Sequence, residues 1–448
     1  MFLRQKIEQF VSRVNTSDIA SRLARGASWS IFGGVVGKGL MLLAFIIIAR
    51  IISKEQYGEL GIIRSTIMMF AIFAGMGIGG TASRYIAIFR NIDAKKTNEI
   101  YLLSLYFSIV AGLIFSILLF LLAPVIADKS LHAPHLAVDI RLGAMVLFFI
   151  TLSSAQTGAL TGFERFKSIA INTVISNSIQ IVILSIGAYL WGVYGVIVGM
   201  GISVLVLWIL NQYSLHRCLP KKTYKGLGLN NITKDTMSIL WKFSLPSIMS
   251  SVFVIPVLWW GKTLVVKNTG FEHVANYDVA EQWSIIILFI PMTLSTIIVP
   301  ILSNILAEGT NSQYRKTVNF NLFINVLITT GAVIAIILLS SIILKSYGAE
   351  FTDKRTFIVL ILSTIPNAIT VVLGQIIASK GKMWLGFMLN VIWSIWFVSF
   401  SIIFVTKMNY GAFGLALAFL CTYVLHAVYS YIYAWSKVIN KNISVVEN

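Results

Sequence analysis

Long apolar runs divided by short polar breaks dominate the chain. They predict helices at roughly 27–49, 58–82, 100–123, 140–161, 168–190, 193–215, 241–263, 282–304, 318–344, 357–378, 384–405 and 411–434. Each run reaches the about 20 residues that a helix needs to cross a bilayer. The pattern therefore predicts an all-α integral membrane protein of twelve transmembrane helices. The opening residues differ. Leu3, Ile7, Phe10, Val11 and Val14 share one helical stripe, with Arg4, Lys6 and Arg13 off it. That arrangement suits a short helix lying on anionic inner-leaflet lipids, and a solvated tail fits it equally.

Composition agrees with a membrane solvent. The 448 residues are 57% hydrophobic and 12% charged, whereas soluble domains carry about a quarter charged residues. A net charge of +18 would suggest nucleic acid in a soluble chain, but its distribution explains it better. With the N-terminus inside, the inner segments hold 22 Lys/Arg and 8 Asp/Glu, and the outer ones hold 9 of each. Lys38, Arg64, Lys242 and Lys262 lie within runs. The positive-inside rule then puts both termini in the cytoplasm of a multi-pass inner-membrane protein, and no nucleic-acid partner is expected.

The longest break, 216–240, is basic through Lys221, Lys222, Lys225 and Lys234 and falls midway. It divides the chain into a basic amphipathic segment at 1–25, a six-helix half at 26–215, the linker, a second six-helix half at 241–434 and a tail at 435–448. Tyr57-Gly58-Glu59 and Tyr277-Asp278-Val279 occupy matching places in the two halves, 220 residues apart. Halves of six helices both start inside, the parallel-repeat plan of many transporters, with a cavity between them near the midplane.

Charge inside a span costs at least a few kcal/mol and normally faces a cavity or a partner. Lys38, Arg64 and Lys262 are therefore the candidate anion-binding residues. Lys38 lies midway along the first run, beside Gly33, Gly34, Gly37 and Gly39. Small residues there let helices approach and leave room for a ligand. Arg64 is about two turns from the outside, roughly 10 Å, and Lys262 ends the seventh run, so both are also within snorkelling reach of the outer surface. Glu59, Asp278 and Glu281 sit at outer ends, which leaves the cations without evident buried carboxylate partners. The expected cavity is thus cationic and suits an anionic cargo. Those three acids are the candidates for ion coupling.

Amides at Gln156, Asn177 and Gln375 are candidate sugar contacts, with interhelix hydrogen bonding as the alternative. Pro246, Pro256, Pro291, Pro300 and Pro366 are candidate kinks in the second half. Enzyme chemistry is poorly represented. The five histidines are dispersed, Cys218 and Cys421 have no paired spacing, and no phosphate-cradling loop occurs. Neither cofactor nor metal is expected.

Three stretches carry a family resemblance: Arg25-Gly26-Ala27-Ser28-Trp29, then Ala49-Arg50-Ile51-Ile52-Ser53-Lys54-Glu55-Gln56-Tyr57-Gly58, and Gly77-Ile78-Gly79-Gly80-Thr81-Ala82-Ser83-Arg84-Tyr85-Ile86-Ala87. They resemble the polysaccharide transporter family, O-antigen flippases of the Wzx type, within the multidrug/oligosaccharidyl-lipid/polysaccharide exporter superfamily. The resemblance implies alternating access that carries an undecaprenyl-pyrophosphate-linked oligosaccharide to the outer leaflet for surface polysaccharide or lipopolysaccharide synthesis. It also implies a polysaccharide polymerase and a chain-length regulator as partners in that assembly, and a cavity lined by cations such as Lys38 and Arg64. The drug-exporting branch typically uses an acid in the first helix, where this chain has Lys38. A cation-coupled drug exporter is the second reading, and a membrane enzyme of polysaccharide assembly the third.

The expected orientation has a direct test. Green fluorescent protein fused after Trp435 is expected to fluoresce in cells, and alkaline phosphatase fused there to be inactive. The reverse pattern would invert the topology.

Overall fold

Wherever the described chain is apolar for about 20 residues, it is helical. The structure, a computed structural model, describes residues 18–75, 77–219, 237, 253–308, 310–380 and 383–439. The amphipathic stripe at Leu3–Val14, Lys242, Pro246, most of the 216–240 linker and the end of the tail lie outside them. The principal helices are α1 Asp18–Ile51, α2 Lys54–Gly75, α3 Ile78–Phe89, α4 Ala94–Val125, α5 Ala137–Gly162 and α6 Phe166–His216. They are followed by α7 Val254–Thr269, α8 Phe271–Glu308, α9 Asn311–Leu338, α10 Ser340–Tyr347, α11 Lys354–Leu362, α12 Thr364–Ser379, α13 Met383–Ser401 and α14 Gly411–Tyr433. Among the described residues nine helices are long and apolar enough to span a membrane. One of them, α6, is two helices joined by a bend.

The departures from the expected helices have local causes. The second run is not one helix: it breaks between α2 and α3, where Gly77 takes a left-handed φ of 63° that glycine adopts without steric cost. The tenth breaks at Ser363, which places Pro366 in the first turn of α12, where its missing N–H is not needed. The fifth and sixth runs are the arms of α6, which turns at Gly192 with φ 58° and ψ −136°. Its arms touch closely enough that a Cβ on Gly195 would lie 2.0 Å from the Gly187 carbonyl oxygen. Asn172 donates to Asn211 Oδ1 at 2.9 Å and Ser176 donates to the Ser203 carbonyl at 2.8 Å, holding the arms together farther along.

The eighth run begins early. α8 starts at Phe271 rather than 282, so Asp278 and Glu281 lie inside the helix rather than before it. Val274, Ala275, Tyr277, Val279 and Ala280 are all buried there, so tertiary packing extends the helix into a stretch that local hydropathy leaves out.

Glycines set the helix contacts that matter for function. On α1, a Cβ at Gly33 would meet Ala170 and one at Gly37 would meet Thr173 and Asn177, so one face of α1 lies on the first arm of α6. Another side of α1 reaches α8, where Gly34 accommodates the Phe289 ring. α2 packs against α8 so tightly that a Cβ at Gly58 would fall 1.9 Å from the Phe271 carbonyl oxygen.

The core is correspondingly uneven. At the end assigned to the outside, one hydrophobic cluster joins Phe45, Tyr57, Leu60 and Ile63 to Tyr277, Ala280, Ile287 and Phe351. At the inner end, Ile86, Ile100, Leu160 and Leu215 form one cluster, and Leu302, Val318, Val372 and Ile376 form another. The helices before the linker and those after it therefore share a core at one end and have separate cores at the other.

Glycine packing makes a stability prediction. A Cβ at Gly158 would lie 2.1 Å from the Gly79 carbonyl oxygen, whereas nothing lies within 4 Å at Gly331. Gly158→Val is expected to lower thermal stability in detergent by about 1–3 kcal/mol or more, and Gly331→Ala to leave the melting temperature unchanged or slightly higher. Equal melting temperatures for both variants would contradict the close α3–α5 approach.

Candidate functional site: a cationic cavity beneath an ion-pair cluster

Lys38 and Arg64 are brought together. A cavity of about 50 Å³ is lined by Lys38, Met41, Leu42 and Phe45 of α1, Arg64 of α2, and Gln282, Ile285 and Ile286 of α8. Lys38 is half-buried, with Nζ 5.5 Å from the centroid of the Phe289 ring. Asn177 donates to the Gly37 carbonyl at 2.8 Å and so fixes the α1 backbone beside Lys38. The Arg64 guanidinium stacks 3.8 Å from the Phe45 centroid, an arrangement that suits its weakly hydrated plane.

The expectation that the buried cations lack carboxylate partners is overturned for two of them. Arg64 Nη1 lies 3.2 Å from Asp278 Oδ2. Lys262 Nζ lies 2.6 Å from Glu281 Oε2 and 3.5 Å from Asp278 Oδ1. Asp278 and Lys262 side chains are only 4% and 5% exposed, so this is a buried cluster and neither cation snorkels. Lys262 lies in the wall with the acids rather than on the Lys38–Arg64 cavity. Three cations against two carboxylates leave one positive charge over. It belongs to Lys38, which has no carboxylate within 4.0 Å among the described residues.

The cluster is the centre of a wider contact across the outer end. Asp278, Glu281 and Gln282 are spaced i, i+3 and i+4, which puts them on one face of α8. Gln282 Nε2 contacts both Tyr57 Oη and Asp278 Oδ2 at 2.8 Å, and Tyr347 Oη donates to Gln282 Oε1 at 3.4 Å. Trp259 Nε1 donates to Thr66 Oγ1 at 2.8 Å, tying α7 to α2. Nearer the rim, Arg50 donates to the Ser346 carbonyl at 2.6 Å and Lys54 to that of Glu350 at 3.1 Å.

The remaining candidates are placed elsewhere. Glu59 pairs with His135 at 2.7 Å, on the outer side of the first helices and off the cavity. Gln156 is fully buried, its amide 2.8 Å from that of Gln212 between α5 and α6, so it bonds between helices and does not line either cavity described here. Gln375 is half-buried on α12 and lines neither cavity. A larger one, about 520 Å³, lies toward the inner end among Gly79, Gly80, Ser83, Ser153, Ser154 and Thr157. No charged side chain lines it. Sequence reading missed the Asp278–Glu281–Gln282 face, although its i, i+3, i+4 spacing was visible.

Breaking one partner of a buried pair exposes the other to full desolvation cost. Lys262→Met, which leaves Asp278 and Glu281 facing each other, is expected to destabilise the protein by about 3–5 kcal/mol. Adding Glu281→Gln is expected to recover part of that in the same thermal unfolding assay. Strictly additive losses would show that the two side chains do not interact.

A family model described as "Polysaccharide biosynthesis protein" matches residues 23–306. The chain is 23% identical over 414 residues to the EPS I polysaccharide export inner membrane protein EpsE of Ralstonia solanacearum, covering 90% of each. It is 23% identical over 379 residues to a putative O-antigen transporter of Shigella flexneri, covering 80% of this chain and 85% of that one. Among solved structures, an inward-facing multidrug resistance MATE family transporter of the MOP superfamily superposes with a TM-score of 0.77 at 17% identity, over 91% of this chain and 97% of the other. The fold is therefore that of a multi-pass membrane transporter, and both of these curated relatives carry export or transport in their names rather than an enzymatic activity.

Proposed function

Because the chain belongs to the polysaccharide biosynthesis protein family, we propose that it flips an undecaprenyl-pyrophosphate-linked oligosaccharide from the inner to the outer leaflet of the cytoplasmic membrane by alternating access. The observation that carries this reading is the convergence of Lys38 and Arg64 on one cavity, with the charge of Lys38 left uncompensated. A pyrophosphate in hydrocarbon is prohibitively costly, and two fixed cations offset that cost through charge-assisted hydrogen bonds. Lys38 and Arg64 hold the pyrophosphate while the polyprenyl tail stays in lipid.

The shared outer core and the separate inner cores support a state closed to the outside and ready to part at the inner end. At about 50 Å³ the cavity must widen to admit a pyrophosphate, and separation of α1 from α8 at Gly34 and Phe289 is the motion that widens it. Moving two negative charges outward across 100 mV, inside negative, contributes about 4–5 kcal/mol. The cation-coupled exporter is disfavoured because Asp278 and Glu281 already hold cationic partners and Glu59 is hydrogen-bonded to His135 off the cavity.

The test is genetic and chemical. Deleting the gene is expected to abolish surface polymer while complete lipid-linked repeat units accumulate on the cytoplasmic face. Lys38→Ala is expected to reproduce that phenotype with the protein still inserted, at a transport rate at least about tenfold lower, and Lys38→Arg to retain activity because it keeps the charge. Normal polymer in the deletion strain together with new sensitivity to amphiphilic drugs would sink the flippase reading. Incomplete repeat units would point to an enzyme.

A further inference from the structure

Arg64 belongs to two structures at once. It lines the cavity with Lys38, and its Nη1 is the ionic link from α2 to Asp278 on α8. An anion that enters the cavity therefore meets one guanidinium that is already engaged by a carboxylate. We propose that Asp278 is an internal competitor for the cargo's pyrophosphate: the arriving anion takes Arg64 from Asp278, and the exchange releases the outer contact between α2 and α8. The inference rests on the pyrophosphate reading of the cavity and adds to it the residue that couples occupancy to opening.

The geometry makes the exchange feasible on both sides. When Arg64 leaves, Asp278 keeps Lys262 at 3.5 Å and the Gln282 amide at 2.8 Å, and Lys262 keeps Glu281 at 2.6 Å. No carboxylate is stranded bare, so the cost of release stays below that of breaking an isolated buried pair. Arg64 also retains its stacking partner Phe45, which stands on α1 with Lys38. The guanidinium thus has a support that does not depend on α8.

The charge balance gives the exchange its direction. Before it, Arg64 and Lys262 neutralise Asp278 and Glu281, and Lys38 is left over. After it, Lys38 and Arg64 face the two charges of a pyrophosphate diester, and Lys262 alone faces two carboxylates. The cavity becomes neutral and the cluster becomes negative. The buried ionic tie between α2 and α8 is lost, which leaves the neutral Tyr57–Gln282 bond and the 4.0 Å Lys54–Glu272 pair at the rim to hold α2 to α8, and the Trp259–Thr66 bond to hold α2 to α7. Neutral hydrogen bonds are roughly half as strong as charge-assisted ones. A neutral ligand has no means of making this exchange, so the device also discriminates for anions.

The experiment uses the full chain in lipid nanodiscs, with Cys218 and Cys421 replaced by Ser and spin labels at the exposed Glu55 and Glu350, beside the rim contact of Lys54 with the Glu350 carbonyl. The probe is farnesyl pyrophosphate, with farnesol as the uncharged control. In the otherwise unmodified protein, the pyrophosphate is expected to shift the label distance to a longer population, and farnesol to leave it unchanged. Asp278→Asn is expected to bind the pyrophosphate about tenfold more tightly, because the competing charge is gone, and to populate the longer distance without any ligand. Equal or weaker binding by Asp278→Asn would overturn the exchange while leaving the cavity reading intact. Binding without a distance change in the unmodified protein would overturn it too, and that measurement needs no variant at Asp278. Absence of pyrophosphate binding to the unmodified protein would remove the cavity reading itself, and the exchange with it.

Discussion

Four side chains neutralise one another where water is scarce, and the arrangement of the outer end follows from them. Asp278 and Glu281 on α8 face Arg64 from α2 and Lys262 from α7. Buried charges persist only when they are paired and hydrogen-bonded, so these three helices must come together before the charges are affordable. Gly58 and Gly61 permit that approach by removing side chains from the α2 surface that faces Phe271 and Asp278. Tyr57, Leu60, Tyr277 and Ala280, buried around the cluster, keep water out and so strengthen each charge–charge contact. Small residues, apolar shielding and charge pairing are parts of one solution.

The helices were legible because a bilayer demands about 20 apolar residues per crossing, and that demand overrides local propensity. Lys38 stood out for the same reason, as a charge midway along such a run. What escaped was information that only packing supplies. Asp278 and Glu281 look like loop residues because hydropathy rises after 282, yet α8 starts at Phe271 and draws them inside. The left-handed turn at Gly77 lies in a glycine-rich stretch, but the sequence does not say which glycine bends. Gln156 has the composition of a sugar contact and the location of an interhelix bond, and only the position of Gln212 distinguishes the two.

The α1 helix joins these levels. Gly33 and Gly37 seat it on α6, Gly34 opens its other side to Phe289, and Lys38 emerges between those two contacts. The Asn177 bond to the Gly37 carbonyl ties the peptide next to the lysine to the α6 hairpin. That hairpin turns within a few residues at Gly192 and is pressed backbone to backbone at Gly187 and Gly195. Lys38 therefore projects from a braced helix, which suits a charge that must meet an anion in a defined place.

The walls of the cavity are unequal. Both cations, and the Phe45 ring that supports Arg64, stand on α1 and α2, while α8 offers an amide and two isoleucines. In the proposed cycle the anion thus has its strong bonds to one wall only. It stays with that wall as a passenger stays with one leaf of a revolving door, and the opposite, nearly apolar leaf decides which leaflet's water reaches it. The hold on the phosphates is thereby assigned to α1 and α2, and Asp278 is the place on α8 where a change reaches that hold, through Arg64.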